Sequence, residues 1–153
     1  DDPDYPTYEE DKETVKKIAQ ALRSDGWELA CHSWGYKDMK AADLALLKSD
    51  TQRWLDEVGS LIGPTDIYVF PFGNDIESAS GSYKSEKYKF LKSSGFNYFL
   101  GVYKEPWLHV KNNYVRMTRR PVDGQALLEY PERLADLFNA EDIIDPRRPA
   151  KNW

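Results

Sequence analysis

Apolar residues along the chain alternate between helical spacing and short dense runs. From Asp11 to Ser24, Val15, Ile18, Ala19 and Leu22 fall on one side of a helix, which Asp25-Gly26 closes. A longer helix is expected from roughly Asp43 to Leu61. Leu44, Leu47, Thr51, Trp54, Leu55, Val58, Leu61 and Ile62 form its stripe, and Gly63-Pro64 stops it. Another helix runs through "SEKYKFLKSSG" and closes on its glycine. Between these helices, "WELACHS" reads as a short strand and "DIYVFPF" as the strongest one, rich in β-branched and aromatic residues. Its nearly unbroken apolar run suits a strand buried on both faces. "FNYFLGVY" is the next strand and "NNYVRMT" one more. The tail carries one or two short helices through "GQALLEY" and "PERLADLF", then proline-rich irregular chain, and residues 1 to 10 read as an irregular lead-in.

Helix, strand, helix, strand, helix, strand is the rhythm of a βαβ fold, with helices covering a mostly parallel sheet. Three or four strands are too few for a closed eight-stranded barrel, which needs about 250 residues. The sheet is therefore expected to be open, or part of a larger barrel whose first strands are not in this sequence. No internal boundary stands out, so residues 1 to 153 are taken as a single domain.

Composition narrows the partners. The net charge of -5 makes a polyanion a poor match, and the basic clusters "MTRRP" and "DPRRPAKNW" are short and flanked by proline or acid, so nucleic acid is not expected. No run approaches the roughly 18 apolar residues of a membrane span. Cys31 is the single cysteine, which excludes a disulfide framework and a cysteine-rich metal site. It sits in an apolar run and is expected to be buried and inert. Ten tyrosines and five tryptophans suit either a cleft that stacks on sugar rings or an aromatic core.

In α/β folds, ligands bind beyond the carboxyl ends of the strands. His32, the segment Phe70 to Asp75, and the segment Tyr103 to Trp107 all follow predicted strands. A neutral imidazole has a lone pair for a metal near pH 7, but zinc needs three or four ligands. Four residues on, where a second ligand would fall if the chain turns helically, stands Tyr36, whose phenol is a poor ligand. His109 reads as an exposed loop histidine. In "FPFGND", Pro71 fixes the exit from the strand, and Gly73 permits a sharp turn that aims a backbone N–H at a ligand oxygen. Asp75 lies just beyond as a further candidate base or ligand, with a surface charge or local cap the preferred reading. Arg116, Arg119, Arg120 and Asp123 are read as structural. The sequence contains no nucleophile elbow and no glycine-rich phosphate loop.

Taken together, "DGWELACHSWGYKDM" resembles the second motif of the polysaccharide deacetylases, the NodB-homology family of carbohydrate esterases, where His-Ser/Thr-x-x-His follows a strand. "IYVFPFG" resembles the third motif, usually Arg-Pro-Pro-Tyr-Gly, and "SEKYKFLKSSGFNYFLGV" looks like the helix and strand that follow it. The likeness covers most of the chain and is nearest to deacetylase-like proteins of Firmicutes. It implies a partial or distorted (β/α) barrel and a divalent metal, typically zinc. It also implies removal of acetyl groups from N- or O-acetylated sugars by an extracellular or cell-surface protein. By this resemblance His32 is the first metal histidine, with Tyr36 in the place of the second. Ser33 shapes the loop, Phe72 lends its backbone N–H to the oxyanion site, and Gly73 makes the turn. In the family a metal polarises the acetyl carbonyl and an aspartate acts as base.

This sequence departs from that pattern. Nothing matches the first motif, Phe/Thr-Phe-Asp-Asp, which supplies the base and a metal aspartate. Val69 stands where the third-motif arginine belongs, and no late Leu-x-His motif is evident. The expectation is a C-terminal portion of a deacetylase catalytic domain, or a degenerate member of that family. Losing the base alone costs about 10²- to 10⁴-fold, so the chain as given is expected to be weak or inactive. The alternative is a non-catalytic carbohydrate-binding or interaction domain using the rings of Trp34, Tyr36, Phe72 and Trp107. The expected partner is a polysaccharide or oligosaccharide, and self-association into a homo-oligomer stays open.

Overall fold

The computed structural model describes residues 4–103, 105–145 and 147. Internal contacts divide the chain into two compact units, Asp1–Arg119 and Arg120–Trp153.

The first unit begins with helix α1, Tyr8–Ser24, whose first turn carries Glu9, Glu10 and Asp11 against the positive end of the helix dipole. Its apolar stripe is mostly not buried. Only Ala19 is, while Val15 and Ile18 are 39% and 55% exposed. Helix α2, Leu44–Trp54, is capped by Asp43, whose carboxylate accepts from the Leu46 amide. The rod continues through a π-helical stretch, Leu55–Gly59, into α3, Ser60–Ile62, and Gly63 ends it at φ 82°. The stripe read from sequence buries Leu47, Thr51 and Trp54.

Strands β1 (Ile67–Val69), β2 (Tyr98–Val102), β3 (Leu108–Val110) and β4 (Val115–Arg119) form one sheet in the order β1-β2-β4-β3. The β1–β2 and β2–β4 pairs are parallel, and the β3–β4 pair is antiparallel. Helix α4, Glu86–Ser93, makes the crossover from β1 to β2. The sheet is mostly parallel, accompanied by helices, and not closed into a barrel. Three readings of the sequence change. Tyr8, Glu9 and Glu10, expected in an irregular lead-in, are the first turn of α1. "WELACHS" contributes only a bridge: Cys31 bonds Ile67 O and receives the Val69 amide, with no longer ladder. Leu108–Val110, read as loop, is an edge strand. Three residues are too few for a period-2 signal to stand out.

The two faces of the sheet differ. Side chains alternate along a strand, so Tyr68, Phe99 and Arg116, which are in register, share one face. That face is fully buried and carries the core, with Phe70, Phe96, Leu91, Tyr88, Leu47 and Trp54. The aromatic residues interlock edge to face, as between Tyr68 and Phe96 at 5.1 Å. Trp54, Tyr68, Phe70, Tyr83, Tyr88, Phe96 and Phe99 are thus core. The other face holds Val69, Leu100, Met117 and Arg119, all half-buried. By the Cys31–Tyr68 bridge, His32 comes level with Val69 on this second face.

Cys31 is fully buried, and burial pushes its thiol up to about 12. Thiol-directed alkylation at neutral pH is therefore expected to leave the native protein unlabelled and to label it rapidly in denaturant. Fast labelling of the native protein would contradict the burial.

The second unit holds α5 (Gly124–Glu129), capped by Asp123, a 3₁₀ turn at Pro131–Arg133, and α6 (Ala140–Ile143), capped by Asn139. Arg120 binds Asp136 at 2.8 Å through Nη2 and the Arg133 carbonyl through Nη1. Among the described residues, no helix is long and apolar enough to cross a membrane.

Candidate functional site

Two loops meet at the carboxyl ends of the parallel strands. The first, His32 to Lys37, leaves the Cys31 bridge. The second, Pro71–Gly73, is a 3₁₀ turn directly after Phe70. The His32 ring is half-buried, and its Nδ1 lies 2.7 Å from the Val69 carbonyl oxygen. A carbonyl only accepts, so Nδ1 carries the proton. That bond fixes the ring and leaves Nε2 as the position with a lone pair when the imidazole is neutral. A backbone carbonyl holding one imidazole nitrogen is how proteins present the other to a metal or a substrate.

His32 meets Tyr36 edge to face at 5.3 Å, and Tyr36 meets Phe72 at 4.8 Å. Both distal rings stand in solvent, Tyr36 54% and Phe72 60% exposed. The backbone beneath them is strained. Ser33, Tyr36 and Phe72 sit at φ 65°, 50° and 56°, and they are the non-glycine residues with positive φ among those described. A left-handed conformation costs a bulky residue about 1–3 kcal/mol, and it persists only where the surroundings enforce it.

The enforcement is visible. Buried Asp50, on α2, accepts from the Trp34 amide at 2.9 Å and the Gly35 amide at 2.7 Å. The Ser33 hydroxyl accepts from the Lys37 amide. On the other loop, Gly73 lies against Val102 so closely that an added Cβ would sit 2.9 Å from the Val102 amide nitrogen.

The remaining sequence candidates are placed differently. Trp34 is 38% exposed, but its indole N–H donates to Glu57 at 2.7 Å and the Arg53 guanidinium covers its ring at 3.6 Å. It is built into the helix surface. Trp107 packs on Tyr103 and stacks on His109 at 4.5 Å, with the Arg116 guanidinium over its ring. Its partner in the ladder, Thr118, puts it on the core face, away from His32. Asp75 is 1% exposed, bonded to Arg116 at 2.6 Å and to the Tyr83 hydroxyl at 2.6 Å. A carboxylate so engaged holds structure together. His109 lies on β3 rather than in a loop.

Arg119 belongs to the site and was read from sequence as structural. It ends β4 on the same face as His32, and its Nη2 donates to the Phe70 carbonyl at 3.1 Å. Burial pulls its pKa below the ordinary value, and the nearby Tyr36 phenol acts the other way. The signal was available: alternation in "VRMTR" separates Arg116 from Arg119, and the latter falls at a carboxyl end. Asp50 was also missed, one position before Thr51 on a helical stripe.

The donor set can be tested against a metal. Zinc requires three or four N, O or S ligands. His32 supplies one well-oriented nitrogen, but among the described residues no group of three His, Cys, Asp or Glu could hold an ion. The described residues do not make up such a site. The concavities elsewhere include one of about 530 Å³ between α1 and the Leu61–Pro64 turn, and one of about 430 Å³ within the second unit. Neither includes His32, and neither gathers chemically matched groups.

Comparison with family models, with curated proteins and with solved structures gave no match.

Proposed function

We propose that this chain carries one edge of a polysaccharide deacetylase-type site, which binds an acetylated saccharide on the Tyr36 and Phe72 rings beside His32. The reading makes the chain a carbohydrate-binding, deacetylase-like protein with weak or no hydrolysis on its own, in an extracellular or cell-surface setting. The single observation that carries it is the convergence of the His32 and Pro71–Gly73 loops, with a carbonyl-fixed imidazole next to two exposed rings on strained backbone. Exposed large rings clustered at strand ends are informative, unlike scattered ones. Strain retained at such a place points to a conformation selected for contact rather than stability.

In this reading the rings stack on the apolar faces of pyranose units. The Nε2 of His32 faces the acetyl group, and the Phe72 turn presents backbone N–H to its carbonyl oxygen. The order of the two motifs in the sequence supports the family; the incomplete ligand set supports low activity.

Calorimetric titration with chitotriose and an acetylated xylooligosaccharide tests the binding. Tyr36→Ala is expected to weaken it about tenfold, or roughly 1.4 kcal/mol. Phe72→Gly separates contact from folding. It relieves the positive φ while freeing the unfolded chain, so stability should change by less than about 1 kcal/mol, while binding weakens as much as in Tyr36→Ala. Binding unaffected by both substitutions would remove the saccharide reading. Rapid acetate release that a chelator abolishes would instead contradict the low activity.

A further inference from the structure

We propose that Arg119 binds a carboxylate group presented in the cleft beside Tyr36 and Phe72. This rests on reading the cleft as a saccharide site and names a chemical class of ligand for it.

The other arginines of the first unit are spoken for. Arg116 pairs with Asp75 and Arg53 with Glu57, and Arg23 donates to the carbonyls of Ile62 and Pro64. Among the described residues, the Arg119 side chain has one hydrogen bond, to the Phe70 carbonyl, and its buried Nε–H has no acceptor. Among the described residues, no carboxylate forms an ion pair with it. A donor withdrawn from water and left unmatched is costly, more so on a charged group. Proteins keep such a group where a ligand supplies the acceptor.

The geometry selects the acceptor. A guanidinium is a planar fork that engages a carboxylate through two parallel N–H···O bonds. Arg119 stands on the His32 face of the sheet, fixed at the Phe70 carbonyl one residue before the Pro71–Gly73 turn, with Tyr36 as its electrostatic neighbour. One cation beside neutral rings matches a single carboxylate of the ligand. The carboxylate has two sources, a uronate group on the saccharide or a small free acid such as acetate.

Calorimetry on the whole chain with triglucuronate, chitotriose and sodium acetate distinguishes them. Triglucuronate is expected to bind at least about tenfold more weakly to Arg119→Gln than to the unchanged protein, a loss several times larger than that for chitotriose. Arg119→Lys keeps the charge without the fork and should fall between. If Arg119→Gln does not fold, the unchanged protein decides: added salt should weaken triglucuronate and leave chitotriose as it was. Equal triglucuronate affinity in the Gln variant, or indifference to salt, overturns the proposal while leaving chitotriose binding to uphold the saccharide site. Arg119-dependent acetate binding without any chitotriose binding upholds the carboxylate and removes the saccharide. No carboxylate binding at all overturns the proposal outright.

Discussion

Arg116→Met is expected to destabilise the protein by about 3–5 kcal/mol, the range for removing one partner of a buried ion pair. Arg116 and Asp75 have fully buried side chains and meet at 2.6 Å. The guanidinium also donates to the carbonyls of Gly81, Glu77 and Ser78, and so stitches the irregular segment after the Pro71–Gly73 turn to β4. The Tyr83 hydroxyl completes the cluster on Asp75, and burial first, then that carboxylate, drives the phenol's pKa well up, so it stays a donor. Methionine matches the bulk but leaves Asp75 charged in an apolar interior and three carbonyls without their donor. Denaturant unfolding should show the loss as a lower midpoint, and thermal unfolding as a fall on the order of 10 °C. The double variant Asp75→Leu with Arg116→Met should recover a large part of it, because no charge is then stranded. A loss under about 1 kcal/mol in the single variant would mean that the cluster is not closed to water.

Gly73→Ala is the second large effect, about 3 kcal/mol or more. Gly73 sits at φ 71°, which a Cβ disfavours by about 1 kcal/mol. The new methyl would press on the Val102 side chain and on its amide nitrogen, 2.9 Å away. That backbone belongs to the paired core of β2, and overpacking of this kind costs about 1–3 kcal/mol. The turn must open to relieve it, and opening moves Phe72 off Tyr36. Under the proposed saccharide reading, Gly73→Ala should therefore lose binding as well as stability, whereas Arg116→Met, acting on the opposite face of the sheet, should spare binding at temperatures where it is folded. Stability and affinity measured on both variants check the contrast. Wild-type stability for Gly73→Ala would mean that the close approach to Val102 is not maintained in solution.

The alternation of helix and strand was legible because it depends on local spacing. The "SEKYKFLKSSG" helix and the strands at Ile67, Tyr98 and Val115 needed only periodicity and glycine stops to be found. The Pro71–Gly73 turn was legible for the same reason. What local spacing does not encode is pairing. "WELACHS" has the composition of a strand, yet only Cys31 pairs, in a single bridge to Tyr68, because the chain leaves the β1 edge directly after it. The α1 stripe looks like a buried face, but burial depends on what lies opposite. Trp34 and Trp107 illustrate the same limit at the site. Their side chains suit sugar contact, but Arg53 covers one and the alternation of an unrecognised strand turns the other to the core. Asp75 follows a turn at a strand end, which marks a site in many α/β folds, and only the distant Arg116 decides its role.

Strand β4 gives opposite fates to two arginines three residues apart. Arg116 locks the interior, and Arg119 lies on the opposite, half-buried face. A register slip of a single position would exchange them, driving the interior cation outward and the cleft cation inward. The proposed binding surface and the interior thus draw on one five-residue segment. Grafting a new specificity onto this edge would need changes confined to the two loops, with the strand carried over unaltered.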